Sequence, residues 1–420
     1  MQKVKEGYKM TELGEIPVEW KYKKLEEISS ITRLAGAEYS DIWETDKNGK
    51  IIALKGYNIG ENKLILEDIE RITEEMSNRL IRSKLFKNDI VFPCVGTIGK
   101  ATLINEDNKY HINQNIAKIT PNEGIDPLYL TYFLMSMFTK KQIQKFNTSS
   151  SQPNVLVGNL RRFNVNIPSL KEQKEISLIL SSLDEQIEIT DNLIEKTKEL
   201  KKGLMQKLLT KGIGHSRFKD TEIGKIPEEW EIRRLGDIGE IVTGSTPKTA
   251  EKDNYGSEYL WVSPTDMGEK KYIIKTNKML SKMGFEKTRK LPKGSILVTC
   301  IGSTIGKIGI SGYELSTNQQ INSIICKSNF DNEFIYYIID FNFSNYMSYI
   351  STQAVPIINK TTFSEFQIQV PPVEEQRKIS LILSSVDKQI DQYESKKEKL
   401  QELKKGLMQK LLTGRIRVKV

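Results

Sequence analysis

The sequence contains very little cysteine and histidine. Its 420 residues include three cysteines (Cys94, Cys300 and Cys326) and two histidines (His111 and His215). The cysteines are odd in number and lack Cys-x-x-Cys spacing, which argues against both a disulfide framework and a zinc cluster. We therefore expect no metal site in this chain.

Long apolar runs are missing too. No stretch approaches the roughly 18 to 20 apolar residues that a membrane-spanning helix needs, and the first residues lack the apolar segment of a secretory signal. We expect a soluble, cytoplasmic protein with no membrane partner. Its length allows two or three domains, each with a core of its own.

Motifs of catalysis are equally scarce. The sequence has no Gly-x-Gly-x-x-Gly and no His-Glu-x-x-His, and residues 370–373 (VPPV) fail at both flanks as the Pro-Pro motif of adenine methyltransferases. Isolated carboxylates and lysines are too frequent to support or exclude a metal-dependent nuclease. We expect no catalytic residue and no cofactor in this chain.

Positive charge is in excess. The formal net charge is +9, which favours a polyanionic partner such as DNA. A chain rich in lysine, isoleucine and asparagine reaches a similar charge through composition alone, so the charge by itself leaves both interpretations open.

The chain is one unit written twice. Residues 11–20 (TELGEIPVEW) recur as 221–230 (TEIGKIPEEW), and residues 199–210 return letter for letter as 402–413. Similarity is highest over two 40-residue segments, 171–210 and 374–413, which agree at 26 positions. The regions before them agree only in scattered islands, which is typical of two heads that read different ligands on one shared scaffold.

Both 40-residue segments are predicted to be long helices. Each follows proline, carries Glu in its first turn and has an apolar stripe with the 4-3-4-3 spacing of a helix pair. Roughly 38 helical residues span about 57 Å, and we favour antiparallel pairing over parallel. Strand-like runs at 90–95 and 295–301 and helix-like runs at 129–134 and 334–339 predict mixed α/β heads.

The predicted fold is therefore α+β, with two α/β recognition domains separated by two long, antiparallel coiled-coil helices in a pseudo-twofold repeat. The division is 1–170 for the first recognition domain, 171–210 for the first spacer helix, 211–373 for the second recognition domain, 374–413 for the second spacer helix and 414–420 for a basic tail.

A short glycine-rich loop follows the strand-like run in each half. Glycines let the backbone approach another chain, and hydroxyl and lysine side chains can contact phosphate. The glycine spacing is too short for a phosphate-binding P-loop. Hairpin-turn chemistry is the alternative, but duplication with a retained lysine favours DNA contact for Gly96, Thr97, Gly99, Lys100, Ser303, Thr304, Gly306 and Lys307.

Amide side chains recur shortly afterwards as Asn113-Gln114 and Asn318-Gln319. Such amides can pair with adenine edges in the major groove, and they equally stabilise turns. Because they are alike in both halves, a shared structural or backbone role suits them better than discrimination between bases.

Two further loops differ between the halves. Residues 55–58 (KGYN) stand opposite 263–266 (SPTD), and 33–37 (RLAGA) stand opposite 243–248 (TGSTPK). We predict that base reading lies in these diverged loops, with ordinary loop drift as the alternative. The candidates are Lys55, Tyr57, Asn58, Thr246, Lys248, Ser263, Thr265 and Asp266.

The layout resembles the specificity (S) subunit of Type I restriction-modification enzymes. The matching pieces are the two Gly-x-Ile-Pro-x-x-Trp phrases, the two Thr-Ile-Gly-Lys loops, the proline-led Glu172-Gln173 and Glu375-Gln376 pairs, and the two Leu-Met-Gln-Lys-Leu-Leu helix ends. The first half departs from the family pattern at residues 33–37, where Gly-x-Thr-Pro is common.

This resemblance implies a non-catalytic subunit that reads an asymmetric bipartite DNA site, one half per head, with the helices fixing the unread spacer. It implies double-stranded DNA, two methylation subunits and restriction subunits as partners, which would carry S-adenosylmethionine, ATP and Mg. Two other classes stay open. A protein-binding adaptor would show little dependence on salt, and a stand-alone DNA enzyme would methylate or cut DNA without added subunits.

Overall fold

The chain folds into two compact units. One comprises Met1–Thr190 with Lys396–Val420, and the other comprises Asp191–Ser395. Each unit thus combines one head with parts of both long helices. The computed structural model describes residues 4–34, 36–147, 154–268, 270–347 and 356–419.

The first unit mixes short strands and short helices with parts of the two long helices, which it shares with the second. Its strands are β1 (Tyr8–Thr11), β2 (Gly14–Pro17), β3 (Lys21–Lys24), β4 (Ser29–Thr32), β5 (Ile51–Leu54), β6 (Glu70–Ile72), β7 (Ile90–Pro93), β8 (Thr102–Leu103), β9 (Tyr110–Ile112), β10 (Ile116–Pro121) and β11 (Asn164–Ile167). Its helices are α1 (Leu25–Ile28), α2 (Gly36–Ile42), α3 (Glu74–Arg79), α4 (Pro127–Met135), α5 (Met137–Phe146), α6 (Val157–Arg161) and α7 (Leu170–Lys211).

Two sheets form the first head. One is antiparallel with the order β4-β10-β7-β8, and the other has the order β6-β5-β9, with β5 and β9 parallel. In this arrangement the carboxyl ends of β4, β5, β7 and β9 meet the amino end of β10 at one edge. The loops that follow these strands therefore converge.

The second unit repeats this plan. Its strands are β12 (Phe218–Thr221), β13 (Gly224–Pro227), β14 (Glu231–Arg234), β15 (Gly239–Thr243), β16 (Tyr255–Gly256), β17 (Tyr259–Val262), β18 (Tyr272–Ile273), β19 (Lys278–Leu280), β20 (Lys290–Leu291), β21 (Ile296–Thr299), β22 (Ile308–Ser311), β23 (Leu315–Thr317), β24 (Ile321–Cys326) and β25 (Gln367–Val370). Its helices are α8 (Leu235–Ile238), α9 (Lys282–Glu286), α10 (Asn332–Tyr346), α11 (Lys360–Ser364) and α12 (Val373–Leu411).

The sheets of the second head have the orders β15-β24-β21-β22-β18 and β16-β19-β17-β23-β20. Strands β15, β24, β21 and β22 correspond to β4, β10, β7 and β8, and the parallel pair β17 and β23 corresponds to β5 and β9. The predicted strands and helix-like runs of the heads are confirmed, and so is the α+β fold class.

Within each unit the two long helices run antiparallel. In the first unit Glu172 lies beside Arg417, while Asp184, further along α7, pairs with Lys404. The second unit repeats this order, since Glu375 accepts a hydrogen bond from the Ile213 backbone and Asp387 pairs with Lys201. The predicted antiparallel pairing is therefore confirmed.

The predicted apolar stripe lies along this contact. Every stripe position is buried or half-buried, from Ile176 to Leu208 on α7 and from Ile379 to Leu411 on α12. The threonines in the α7 stripe are compatible with burial because their hydroxyls donate to backbone carbonyls four residues earlier, as Thr190 does to Gln186 at 2.7 Å.

The repeated Gly-x-Ile-Pro-x-x-Trp phrase locks each head to the start of a long helix. The β1–β2 and β12–β13 hairpins precede Trp20 and Trp230, which are almost completely buried. The Trp20 indole N–H donates to Glu172 at 3.1 Å, and Trp230 donates to Glu375 at the same distance. The tryptophan and the glutamate of the Glu-Gln pair thus act together to join each head to its long helix.

The glutamine of each pair completes this joint. The Gln173 side chain accepts from the Asp126 backbone N–H at 2.8 Å and donates to the carbonyls of Pro168 and Gly124. The Gln376 side chain makes the equivalent bonds to Asp331 and Pro371. Each amide therefore ties the start of a long helix to the start of a head helix, α4 or α10.

We predict that Glu172→Gln destabilises the first unit. The Glu172 side chain is only 2% exposed and accepts from the Trp20 indole and from the Arg417 guanidinium. The substitution removes the negative charge and places an amide N–H group next to the N–H groups of Trp20 and Arg417. The free energy of unfolding should therefore fall by about 2 kcal/mol. Urea denaturation measures this change.

The control is Glu185→Gln, which changes an exposed carboxylate on the same helix. It should alter the free energy of unfolding by less than about 0.5 kcal/mol. Equal effects of the two substitutions would contradict the role assigned to Glu172.

Candidate nucleic-acid interface

Three loops of the first head meet where their strands end. The Asn113 backbone N–H donates to the Leu54 carbonyl at 3.2 Å, and the Cys94 N–H donates to the Asn115 carbonyl at 2.8 Å. The Thr97 hydroxyl donates to the Gly56 carbonyl at 2.9 Å. This edge brings together the predicted residues of the first head: Lys55, Tyr57, Asn58, Gly96, Thr97, Gly99, Lys100, Asn113 and Gln114.

The second head forms the same cluster. The Asn318 N–H donates to the Val262 carbonyl at 2.9 Å, and the Cys300 N–H donates to the Gln320 carbonyl at 2.8 Å. The Ser245 N–H joins the adjacent loop to the Thr317 carbonyl. The predicted residues at this edge are Thr246, Lys248, Ser263, Thr265, Asp266, Ser303, Thr304, Gly306, Lys307, Asn318 and Gln319.

The two glycine-rich loops are hairpin turns. They connect β7 to β8 and β21 to β22, both antiparallel pairs, and in the second loop Gly306 N–H and Thr299 C=O form a cross-turn hydrogen bond. Gly96, Gly99, Gly302 and Gly306 all have φ between 79° and 95°, a conformation that favours glycine. No helix follows either loop, so the structure agrees with the rejection of a P-loop.

The turn leaves hydroxyl groups at the surface. Thr97 and Ser303 are exposed, and Lys100 and Lys307 are half-buried. The lysine of the second loop lies along Gly268, where an added Cβ would be 3.1 Å from the Lys307 Cδ atom. The hairpin role of these residues is confirmed, and their contact with DNA stays a prediction.

The amide pairs are turn residues. The Asn113 Oδ1 atom accepts from the Asn115 backbone N–H at 2.9 Å, and the Asn318 Oδ1 atom accepts from Gln320 at 3.0 Å. Both asparagines are more than 90% buried. This geometry supports the shared structural role that the sequence favoured for them. Of their neighbours, Gln114 is half-buried and Gln319 is exposed.

The diverged loops share a backbone shape despite their different side chains. Residues Gly56–Asn58 and Pro264–Asp266 each form one turn of 3-10 helix. Asn58 accepts from the Lys55 N–H at 2.9 Å, and Asp266 accepts from the Ser263 N–H at 2.9 Å. The two side chains therefore have the same structural role, which is to accept the backbone hydrogen bond that closes the turn.

Because Asn58 and Asp266 already make hydrogen bonds within the protein, few of their donors and acceptors remain for contact with DNA bases. Asn58 is 1% exposed, and its amide also donates to the carbonyls of Ile65 and Asp68. The prediction that these two residues contact DNA gains no support from their geometry. Their neighbours differ, because Tyr57 is 45% exposed and Thr265 is exposed.

The remaining candidates lie at the same edges. Lys55 pairs with Glu70, and its ammonium group lies 5.9 Å from the centre of the Tyr57 ring. Thr246 is exposed and bonded to Gln319, and the Lys248 side chain is 84% exposed. Gly244, just before them, permits a close approach, since an added Cβ would lie 2.0 Å from the Asn318 carbonyl oxygen.

Two basic residues beside the loops were not among the predicted ones. Arg289 is exposed, and its guanidinium donates to the Thr243 carbonyl at 2.6 Å, at the start of the 243–248 loop. Lys140 on α5 lies against Gly99, where an added Cβ would be 3.8 Å from its Cγ atom. Both are 40 or more positions from the loop they flank, so no local pattern could have pointed to them.

The matched cysteines that precede the loops are unsuited to catalysis. Cys94 and Cys300 are buried, and burial raises the pKa of each thiol to about 12. A neutral thiol is a poor nucleophile and metal ligand. Among the described residues, no three His, Cys, Asp or Glu side chains are grouped to hold a metal ion, and no helix is long and apolar enough to cross a membrane.

Comparisons with known proteins agree with this architecture. A model of the family described as the Type I restriction modification DNA specificity domain matches the chain twice, at residues 17–199 and 227–405. The two matches each cover one head and most of the long helix that follows it.

Similar proteins match most or nearly all of the chain. The putative type I restriction enzyme MjaX specificity subunit of Methanocaldococcus jannaschii is 29% identical over 433 residues, covering 99% of this chain and 97% of that protein. The MjaVIII specificity subunit of the same organism is 32% identical over 314 residues, covering 71% and 72% of the two chains.

A solved structure has the same fold. The crystal structure of the Type-I restriction-modification system S subunit from M. genitalium matches with a TM-score of 0.59 and 17% identity, covering 93% of this chain and 96% of that one. Together with the two family matches, these likenesses show that the chain belongs to the Type I restriction-modification DNA specificity family.

Proposed function

We propose that this chain is the DNA-specificity subunit of a cytoplasmic Type I restriction-modification complex and has no catalytic site of its own. Each head reads one half of an asymmetric bipartite site in double-stranded DNA. One observation carries the proposal: two loop clusters share the same backbone framework, yet their sequences differ at 55–57 against 263–265 and at 33–37 against 243–248. The exposed side chains in these loops include Arg33, Tyr57, Thr246, Lys248 and Thr265.

The loop chemistry divides into two parts. The glycine-rich hairpins repeat a hydroxyl and a lysine in both halves, which suits sequence-independent contact with phosphates. The exposed residues that differ suit base reading, because direct readout requires side chains that present different donors and acceptors. By exposure and divergence the strongest base-reading candidates are Tyr57, Thr246, Lys248 and Thr265.

The partners follow from the family. We propose that two methylation subunits and the restriction subunits bind this chain, and that S-adenosylmethionine, ATP and Mg bind to those partners. The long helices would set the length of the unread spacer between the half-sites. One similar structure is described as showing complex assembly and conformational transition of the type I R-M system. We propose that this chain functions in a complex of the same kind.

We predict that Lys100→Ala and Lys307→Ala each weaken binding to DNA of any sequence. Each lysine that neutralises a phosphate releases counterions, so the slope of log affinity against log salt should fall by about 1 for each substitution. Titration of the subunit with its methylation partner against duplex DNA at several salt concentrations measures both quantities.

A matched control is Lys174→Ala. Lys174 is exposed on α7 next to Gln173, whose side chain bonds Gly124 and Asp126 beyond the far end of β10. Its removal should leave the salt slope unchanged. If Lys100→Ala and Lys307→Ala also leave the slope of log affinity against log salt unchanged, these lysines do not bind phosphates. Binding with almost no dependence on salt would favour the protein-binding adaptor.

Exchange of one head tests the bipartite reading itself. Replacement of residues 17–167 by the head of a family member with a different target should change one half of the methylated motif and leave the other half intact. Sequencing of methylated adenines across a host genome gives the motif. A change in both halves, or methylation by the purified chain alone, would contradict the proposal.

Exposed leucines on the long helices offer matched docking positions. Leu178 and Leu381 are 60% and 72% exposed, and Leu200 and Leu403 are 54% and 50% exposed. Leu381 is the repeat counterpart of Leu178, and Leu403 is that of Leu200. The first unit therefore contains Leu178 and Leu403, and the second contains Leu200 and Leu381. Large exposed apolar side chains at equivalent places in both units suit two copies of one partner.

We predict that Leu178→Ser with Leu403→Ser removes one of two methylation subunits from the complex. The same change at Leu200 and Leu381 removes the other, and all four together abolish assembly. Native mass spectrometry counts the subunits. The control is Ile189→Ser, an exposed α7 position whose repeat counterpart is Gln392. Retention of two methylation subunits by the fourfold variant would contradict this docking site.

A further inference from the structure

The same three side chains meet in each unit, one from the head and one from each long helix. In the first unit the Tyr132 hydroxyl on α4 donates to Asp184 on α7 at 2.7 Å. Lys404 on α12 forms an ion pair with the other carboxylate oxygen, and its ammonium group lies 5.6 Å from the centre of the Tyr132 ring. We call this set the first joint.

The second joint has matching geometry in the second unit. The Tyr337 hydroxyl on α10 donates to Asp387 on α12 at 2.5 Å. Lys201 on α7 bonds the other carboxylate oxygen at 2.6 Å and lies 5.6 Å from the centre of the Tyr337 ring. The helices have exchanged roles, since the aspartate comes from α12 and the lysine from α7.

Both joints are partly shielded from water, since the carboxylates of Asp184 and Asp387 are 25% and 18% exposed and Lys201 is 23% exposed. The tyrosine side chains are fully buried, and Lys404 is 8% exposed. Burial and the neighbouring aspartate raise the pKa of both tyrosines far above their usual range, so both hydroxyls remain donors. A charge-assisted hydrogen bond in such surroundings is strong and directional, whereas the apolar contacts around it restrain no particular angle.

The second joint extends toward the proposed reading edge. The Lys271 ammonium group donates to Tyr337, Glu333 and Ser384 at 2.9 to 3.0 Å. Lys271 lies three residues after Gly268, against which the side chain of Lys307 rests. The first unit has Leu128 at the position of Glu333 in the repeat, so the contact with Glu333 belongs to the second unit.

We propose that the two joints fix the angle at which each head sits on its helix pair, and thereby the spacer length that the chain accepts between half-sites. This inference rests on the proposed function. Tyr132, Asp184 and Lys404, with Tyr337, Asp387 and Lys201, are positioning residues: they touch no DNA and act through the loops of the head to which they belong. Retention of all three in both halves, while the reading loops diverge, is what a shared positioning device requires.

The test uses Tyr132→Phe and Tyr337→Phe, each of which deletes one hydroxyl and leaves a ring that fills the same space. The chain is assembled with its methylation subunits, and a random duplex library identifies the bipartite site that the unsubstituted complex selects. Affinities are then measured for duplexes with that spacer and with spacers one base pair shorter or longer.

In the unsubstituted complex one spacer should be strongly preferred. Each joint variant should reduce that preference by about tenfold, the factor that corresponds to one charge-assisted hydrogen bond, while the half-site sequences stay the same. The double variant should relax the preference further. Asp184→Asn should act in the same direction as Tyr132→Phe, since it removes the shared acceptor charge.

Neighbouring tyrosines supply matched controls. Tyr129→Phe deletes a buried hydroxyl on the same helix, whose bond of 2.7 Å to the Asn166 carbonyl lies within the head. Tyr336→Phe deletes the hydroxyl next to Tyr337. Both should leave the spacer preference unchanged, even where they lower the melting temperature.

Two outcomes would overturn the inference. If the joint variants keep the original spacer preference, the joints only stabilise the fold. If the Tyr129 control relaxes the preference equally, the effect is one of general stability. Both outcomes leave the proposed function intact, whereas failure of the unsubstituted complex to select a bipartite site would remove the proposed function itself.

Discussion

The antiparallel contact between segments of the two long helices is the constraint on which each unit depends. Each long helix carries an apolar stripe that is more stable when covered than in water, and in each unit the beginning of one helix covers the end of the other. The head then packs on this pair and contributes to the same core, as Trp20 and Tyr132 do beside Leu180 and Leu411. The main core cluster of each unit therefore contains residues from both ends of this helix pair.

This constraint explains why the halves diverged so unevenly. A buried residue on the long helices contacts both the head and the partner helix. Most substitutions there therefore weaken several contacts at once and lower the stability of the unit. A loop at the sheet edge needs only its backbone shape. Asn58 and Asp266 show how that shape survives, because two different side chains accept the same backbone hydrogen bond. Their exposed neighbours were free to change.

Sequence reasoning reached the repeat and the helices because these depend on periodicity and on identity between the halves. It reached the antiparallel direction because the short connection 211–216 can lead directly from the end of the first helix into the second head. It also found the loop clusters, since each follows a recognisable strand. It did not separate the roles inside a loop: Asn58 and Tyr57 are adjacent in sequence, yet one is 1% and the other 45% exposed. Arg289, Lys140 and the Tyr132 joint were missed because each depends on contacts between residues more than 40 positions apart.

The same carboxylate position is satisfied by different side chains in the two units. Arg417 serves Glu172 in the first, and His215, which lies 3.0 Å from Glu375, serves the second. Residues 414–417 thus occupy in the first unit the place that the connection 212–215 occupies in the second. Because Tyr8 also bonds the Gly414 carbonyl, the first unit closes only over some 400 residues of chain. Loop closure over that separation is costly before the contacts form. The second unit is continuous from Asp191 to Ser395, so its contacts close over shorter separations along the chain.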